Sequence, residues 1–347
     1  MLRLQSAHLN SAPGVRFEYS NTNYDILGLL IQTISGMPYE TYIEEKIFAP
    51  LKMQNSFTSL DAARAGGISS GYISFFGMTL EYDRFMPYSR TVTPSAGLFA
   101  SAEDMARYLI AHLNEGRSPD GAAILSPQGI AELHTPGVQI GEQVSYAMGW
   151  TIFPFPQAAA VSNPGDPVPT GISHGGEWAN FKGLMVLIPE QELGVVVLIN
   201  KTDHRYNLEY ENIAWNTTLL ALDMEPAIFS RSEDFMTRYG HIVGTAVVLL
   251  LLASFIWSVR RLFPGSSQGR SSVNHRQNRM VFLALLPLFD LLLAGYILFW
   301  EIPQSNTTLP LSLFFNPEVG LLYLITLLLT PGWGALRTVL AIRRFSF

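Results

Sequence analysis

Four places along the chain carry side chains that could do chemistry. Tyr19-Ser20-Asn21 sets a phenol, a hydroxyl and an amide in a loop just ahead of a capped helix. A phenol there can move a proton and an amide can hold a carbonyl, although Ser20 or Asn21 would serve equally as a helix N-cap. His174-Gly175-Gly176 joins an imidazole to two residues without side chains at the opening of a strand-rich region. Gly67-Ile68-Ser69-Ser70-Gly71 has the G-x-S-x-G form of a nucleophile elbow, which needs a strand before it and a helix after it. Here a helical stretch, Asp61–Ala65, precedes and an extended aromatic run, Tyr72–Phe76, follows, so these residues read as a Gly/Ser loop. Asp290 is the single acid in a long apolar run; it reads as a neutral, hydrogen-bonded residue joining helices before it reads as a proton or ligand site.

The elements that would position these groups follow from period and punctuation. Asn23–Ser35 reads as a helix with caps from Asn21 to Asn23, a broad apolar face of Ile26, Leu27, Leu30, Ile31 and Ile34, and a stop at Gly36. Pro38 opens a second helix with Tyr39, Ile43 and Ile47 at spacings of four, ended by Pro50. Ser101 with Asp104 resembles a capping box ahead of Met105–Leu113, and Ser126-Pro127 starts another short helix. The period then changes. Tyr146–Phe153 reads as extended, Phe181–Ile188 and Val195–Asn200 form an antiparallel hairpin across Pro189–Gly194, residues 155–170 read as loop, and a helix lies near Asn212–Leu222. Helices followed by antiparallel strands predict an α+β fold.

The tail has a different character. Residues 1–240 carry 14 basic against 25 acidic side chains, whereas residues 241–347 carry 8 arginines and 3 acids, an arrangement that argues against a nucleic-acid partner. Ile242–Val259 is an uncharged apolar run of 18 residues, about 27 Å as a helix at 1.5 Å per residue, close to the hydrocarbon thickness of a bilayer. Met280–Trp300 and Val319–Leu336 repeat the pattern, the latter with Pro331 and Gly332 expected to kink or break it. Arginines at 260, 261, 270, 276, 279, 343 and 344 put the first loop and the C-terminus on the cytoplasmic side and residues 1–240 outside. The expectation is a multi-pass plasma-membrane protein with helices at about 242–262, 280–300 and 319–340, its partners a lipid bilayer and a small-molecule or peptide substrate. The chain has no cysteine, which excludes disulfides, thiolate catalysis and Cys-ligated metals. The motifs call for neither a cofactor nor a metal, and they are silent on oligomeric state.

Several stretches taken in order carry a resemblance. Pro13-Gly14-Val15-Arg16-Phe17-Glu18-Tyr19-Ser20-Asn21, then Tyr24, Leu27-Gly28, Ser35-Gly36, Ile47-Phe48, Pro50-Leu51-Lys52-Met53 and Thr93-Pro94-Ser95-Ala96-Gly97-Leu98 are similar to the penicillin-recognising serine hydrolases. That family includes class C β-lactamases, DD-peptidases and related esterases. His174-Gly175-Gly176 resembles the H-x-G variant of its K-T-G motif, and the likeness runs from about Pro13 to Leu222. The resemblance implies a partial β-lactamase/DD-peptidase-like α+β domain at 1–230, followed by an all-α three-helix transmembrane region at 241–347. It implies acyl transfer through a serine acyl-enzyme. Tyr19 would shuttle the proton, its pKa lowered by neighbouring cations; Asn21 would hydrogen-bond the substrate amide; His174 would support Tyr19 and a substrate carboxylate. Gly175, Gly176 and Glu177 would bind substrate, the Glu177 backbone N–H serving as an oxyanion donor.

One motif is missing. The nucleophile of that family is the Ser of S-x-x-K, and the residues three before the chain's four lysines are Ile43, Ala49, Ala179 and Leu198. Only 18 residues precede Tyr19, and Met1–Ser11 has no apolar signal segment. The simplest expectation is that Met1 is an internal methionine of a longer protein and that this chain is inactive alone. Two alternatives are a non-catalytic ectodomain that senses a cell-wall peptide and a functional helical tail centred on Asp290.

Overall fold

The computed structural model describes residues 8–12, 14–83, 90–155, 167–203, 207–227, 235–262, 292, 295–296 and 308–345. The chain separates into two compact units, one of residues 1–73, 81–202 and 207–231, the other of 74–80, 203–206 and 232–347.

The first unit opens with helix α1 (Asn21–Ser35) and a short helix α2 (Tyr39–Ile43) that continues as a π-helical turn, Glu44–Phe48. The N-cap of α1 is Ser20 in extended conformation, without a side-chain cap bond, so the asparagines expected to cap it lie inside or at the helix start. Gly36 ends α1 at φ 70°, a left-handed position that suits a residue without Cβ. The expected broad apolar face is not buried. Ile26, Leu27, Leu30 and Ile34 are exposed, and only Gly28 is buried, against Pro94 of α4 (Thr93–Ala96). Periodicity marks an apolar stripe, but that stripe is left exposed and α1 packs through Gly28 at its edge. A Cβ at Gly28 would stand 2.2 Å from Pro94 Cγ, and that close approach decides it.

Strand β1 (Ser56–Phe57) and helix α3 (Leu60–Ala65) come next, followed by the glycine-serine loop and the start of β2 (Tyr72–Phe75), whose last residues, with most of β3 (Met78–Glu81), belong to the second unit. Strand β4 (Phe99–Ala100) pairs with β1, and helix α5 (Ala102–Leu113) follows. Ser101 caps α5 by accepting from the Asp104 N–H, but Asp104 does not close a capping box. Its carboxylate, in a residue only 2% exposed, instead accepts from the Asn55 N–H at 2.7 Å and the Ser56 hydroxyl at 2.8 Å. It thereby ties α5 to β1. Ser126 caps α6 (Pro127–Leu133) through the Gly129 N–H.

The scaffold of the unit is a six-stranded antiparallel sheet, in the spatial order β10-β9-β8-β7-β6-β5. Its strands are β5 (Val138–Gly141), β6 (Val144–Tyr146), β7 (Thr151–Pro154), β8 (Thr170–Glu177), β9 (Lys182–Ile188) and β10 (Leu193–Ile199). The Pro189–Gly194 hairpin is where the sequence placed it. Tyr146–Phe153 is not one extended run: Gly149, at φ 86°, lets the chain turn and Ala147 N–H bonds Trp150 C=O, giving the β6–β7 hairpin. Strand β11 (Lys201–Thr202) joins β2 in parallel, and helix α7 (Asn207–Ala221) completes the unit.

Both faces of the sheet are covered. On one, Phe155, Val186 and Ile188 pack with Leu219 and Leu222 from α7 and the turn after it. On the other, Trp150, Ile172 and Leu187 pack with Leu109 of α5. Beyond α5, Ala111 meets Phe48, Leu51 and Met53. Each such fully buried aliphatic side chain stabilises by about 1.5–3 kcal/mol. This α+β layering is the predicted fold class.

The second unit contains α8 (Phe235–Leu262), α9 (Leu309–Phe315) and α10 (Pro317–Phe345). α8 and α10 cover the first and third predicted spans, while nearly all of Met280–Trp300, Asp290 included, lies outside the described residues. α10 runs on through Pro331 and Gly332, so the expected break does not occur: a proline forfeits one backbone bond, and a long helix retains the others. Small residues set the spacing, with Gly244 against Leu322 and Gly320 against the backbone of Ser312 and Leu313. Among the described residues no helix is long and apolar enough to cross a membrane, and the three expected spans rest on the sequence runs alone.

Candidate functional site

The loop before α1 carries Tyr19 to the mouth of the antiparallel sheet. Phe17 fixes that loop by packing on Tyr146, ring centroids 4.8 Å apart. One turn into α1, the Tyr24 hydroxyl meets the Tyr146 hydroxyl at 2.5 Å. Tyr146 ends β6 opposite Thr151 of β7, and Thr151 in turn faces Ser173 of β8, beside His174. The Tyr146 hydroxyl lies 3.5 Å from His174 Nε2. Tyr19, half exposed, closes the group: its ring centroid is 5.7 Å from Tyr24, 6.4 Å from Tyr146 and 6.5 Å from His174. Two predicted site residues 155 positions apart, Tyr19 and His174, are thus neighbours.

Asn21 is exposed in the first turn of α1. Successive strand residues face opposite sides, so Gly175 and Glu177 point away from His174. They line, with Gly176, a cavity of about 370 Å³ between the sheet and α7, together with Lys182, Tyr210 and Trp215. Lys182 sits 3.7 Å from Glu177 and 3.8 Å from Glu211. The Gly67–Gly71 loop is held by structure: Gly71 packs on Asn180, and its N–H donates to Asp83 at 2.8 Å. Ser69 is exposed there.

Electrostatics in the ring cluster run against one expectation. Tyr19 was to be acidified by neighbouring cations, yet its pKa is raised, by burial first and then by Tyr24. Burial also raises Tyr146, with the Tyr24 hydrogen bond adding to it, and burial lowers His174, favouring neutral imidazole. Tyr19's ring neighbours are two phenols and an uncharged imidazole, a set with no fixed positive charge. The cluster therefore holds protons; it does not by itself generate a phenolate. Among the described residues no group of three or more His, Asp or Glu could hold a metal ion.

Sequence reasoning missed Tyr146 as a site residue and the hydroxyl of Tyr24. The one hint was the aromatic-glycine pattern Tyr146-Ala147-Met148-Gly149-Trp150, which marks a tight hairpin with an aromatic at its edge.

A helical layer on an antiparallel sheet, with a tyrosine loop facing a His-Gly-Gly strand across their junction, defines the class of the β-lactamases and penicillin-binding proteins. The chain belongs to the beta-lactamase family, whose description "Beta-lactamase" matches residues 1–214. It is 27% identical over 334 residues to Protein flp of Staphylococcus aureus (strain MRSA252), covering 93% of this chain and 62% of that protein. It is 24% identical over 210 residues to a beta-lactamase of Yersinia enterocolitica, covering 55% of this chain and 52% of that one. Among solved structures, the octameric penicillin-binding protein homologue from Pyrococcus abyssi superposes with a TM-score of 0.52 at 27% identity, covering 62% of this chain and 45% of that one. The chain spans about half the length of the relatives it matches.

Proposed function

We propose that this chain supplies the tyrosine–histidine wall of an acyl-transfer site of the serine-hydrolase type, carried on a membrane anchor. The substrate class is a peptidoglycan-like peptide, a β-lactam or a small ester. The observation that carries this reading is the meeting of Tyr19 with His174, ring centroids 6.5 Å apart, in a chain of the beta-lactamase family. Tyr19 would pass a proton to and from the nucleophile and the leaving group, with His174 beside it. Asn21 would hold the substrate amide, and the backbone of Gly175-Gly176-Glu177, where β8 continues past His174, would meet the bound acyl group through its N–H groups, that of Glu177 first. The sequence has no S-x-x-K, so the attacking serine and its lysine are not among these residues and the chain alone is inactive. The raised pKa of Tyr19 fits that reading: the lysine is also the cation that would draw the phenol down.

The anchor rests on the sequence alone, on the uncharged Ile242–Val259 run and the clustering of arginine at 260 and 261. Residues 1–240 would face the cell exterior and the C-terminus the cytoplasm. Resistance of the full chain to alkaline carbonate extraction, with protease access to residues 1–240 from outside, is the expected result; release into the soluble fraction would defeat the anchor.

A second reading is favoured by the same missing motif: an ectodomain that binds a cell-wall peptide without cleaving it. Probe labelling, peptide binding and the upstream sequence together separate the two. The full chain in detergent micelles is incubated with a penicillin-type acylating probe and examined by mass spectrometry, and the sequence ahead of the Met1 codon is read for an in-frame S-x-x-K. No adduct, together with such a motif upstream, supports the hydrolase reading. Saturable peptide binding with stop codons directly upstream supports the binding module. A covalent adduct on any serine of this chain overturns the claim that it is inactive alone.

A further inference from the structure

Histidine is useful in a site only when its ring is fixed and its proton is on a known nitrogen. Here the two predicted residues do not hold each other: Tyr19 and His174 are in ring proximity, but the polar contact to His174 comes from a third residue. Tyr146 reaches Nε2 of His174 at 3.5 Å while its hydroxyl is held by Tyr24 at 2.5 Å. We propose that Tyr146 is a positioning residue of this site, its hydroxyl fixing the orientation and tautomer of the His174 imidazole against Tyr19. The catalytic meaning of this rests on the hydrolase reading above; the geometry does not.

Several features pin Tyr146 from different directions. Phe17 lies against its ring at 4.8 Å, and Tyr19 meets it edge-on at 6.4 Å. Its backbone is set by the β6–β7 register and by close approach to Gly137, where a Cβ would stand 2.7 Å from the Tyr146 carbonyl oxygen. The turn that follows needs Gly149, at φ 86°, and a Cβ there would come within 3.9 Å of the Tyr24 hydroxyl. Loop, helix and sheet thus converge on one phenol. Burial favours neutral His174, in which one ring nitrogen carries the proton and the other does not; a hydroxyl can donate to Nε2 or accept from it, so the direction of the Tyr24–Tyr146 bond selects which. With Tyr24 holding the hydroxyl, the bond to Nε2 is not a free rotor, and the imidazole presents one fixed face to Tyr19.

The test is the tautomer itself. Full chain labelled with 15N-histidine, in micelles at neutral pH, is expected to show His174 with one dominant tautomer. Tyr146→Phe should reduce that preference by a factor of roughly 2–10, the weight of one net hydrogen bond. The signals of His112 and His134, held by each other, by Tyr108 and by Trp150 and not by the Tyr146 hydroxyl, report whether the fold persists. If they move as well, Tyr24→Phe takes its place, expected to reduce the same preference by freeing the hydroxyl. An unchanged tautomer ratio in the folded variant, or an even mixture in the unsubstituted chain, overturns the proposal. Neither readout requires hydrolysis: a fixed tautomer with no acyl chemistry in any longer form of the protein would sink the hydrolase reading and leave the positioning role standing.

Discussion

Acidification should loosen the junction of α5, α6 and the sheet through a buried histidine pair. His112 of α5 is 4% exposed, and its Nδ1 lies 3.1 Å from Nε2 of His134 at the end of α6. The two rings stack at 5.2 Å, Trp150 meets them edge-on at 5.1 and 5.7 Å, and Tyr108 packs on His112 at 4.6 Å. Burial, then the neighbouring His134, pulls His112 down to about 4 from 6.5, and burial lowers His134 as well. Tyr108, the other titratable group in the cluster, is pushed up to about 12 and stays neutral throughout. Geometry supplies the reason. With ring nitrogens 3.1 Å apart one must donate and the other accept, and full protonation would set two N–H donors head to head.

The sign follows from which state binds the proton first. The folded pKa of His112 lies below the unfolded value, so its contribution is fully present above about pH 6.5 and is lost as pH falls toward 4. At about 1.36 kcal/mol per pH unit, that interval amounts to about 3 kcal/mol, against a total stability of about 5–15 kcal/mol for a typical domain. Urea unfolding of the full chain in micelles, followed by circular dichroism at steps from pH 7.5 to 5, measures it. His112→Phe keeps a ring in the stack and removes the titration. Its dependence on pH should be shallower by about one bound proton, near 1.4 kcal/mol per pH unit at the steepest point. Equal slopes in the two proteins would refute the reasoning, as would a flat profile for the unsubstituted chain between pH 6.5 and 5.

Asp104→Ala should destabilise the first unit by about 2–5 kcal/mol in denaturant unfolding, because the Asn55 N–H and the Ser56 hydroxyl lose their acceptor in a buried place; a loss below 1 kcal/mol would mean that water replaces the carboxylate. Gly28→Ala should cost about 1–3 kcal/mol from overlap with Pro94, despite the better helix propensity of alanine. Adding Pro94→Ala should return that loss, and a double variant no better than the single one would show that α1 does not seat on α4. Ser69→Ala should leave peptide binding unchanged and stability within about 0.5 kcal/mol, since Ser69 is exposed in a loop that only resembles a nucleophile elbow; loss of binding would return Ser69 to the site.

What the sequence disclosed was local. Helix starts at Ser101 and Ser126, the stop at Gly36 and the Pro189–Gly194 hairpin are each determined within a few residues, by cap oxygens, a left-handed glycine or a turn. The reversed order of helix and strand around Gly67–Gly71 was equally local, and it held. The Tyr19 and His174 motifs could be picked out for the same reason: each is a short run of unusual residues at the edge of an element. The periodicity of α1 was legible as a helix with an apolar face, but that face is exposed and the helix seats instead through Gly28 on Pro94, a fit that periodicity does not record.

Tertiary structure decided everything that needs two distant segments in register. Asp104 gave up its capping role for Asn55 and Ser56, 49 and 48 positions away. Tyr24 and Tyr146, separated by 122 positions, share a hydrogen bond, and their junction determines where His174 points. Such contacts leave no mark on composition or spacing, since any tyrosine at a strand end looks alike until packing brings the elements together. The chemistry of each residue was written in the chain; which residues meet was settled by the sheet register and by the close approach of α1 to α4, both products of long-range packing.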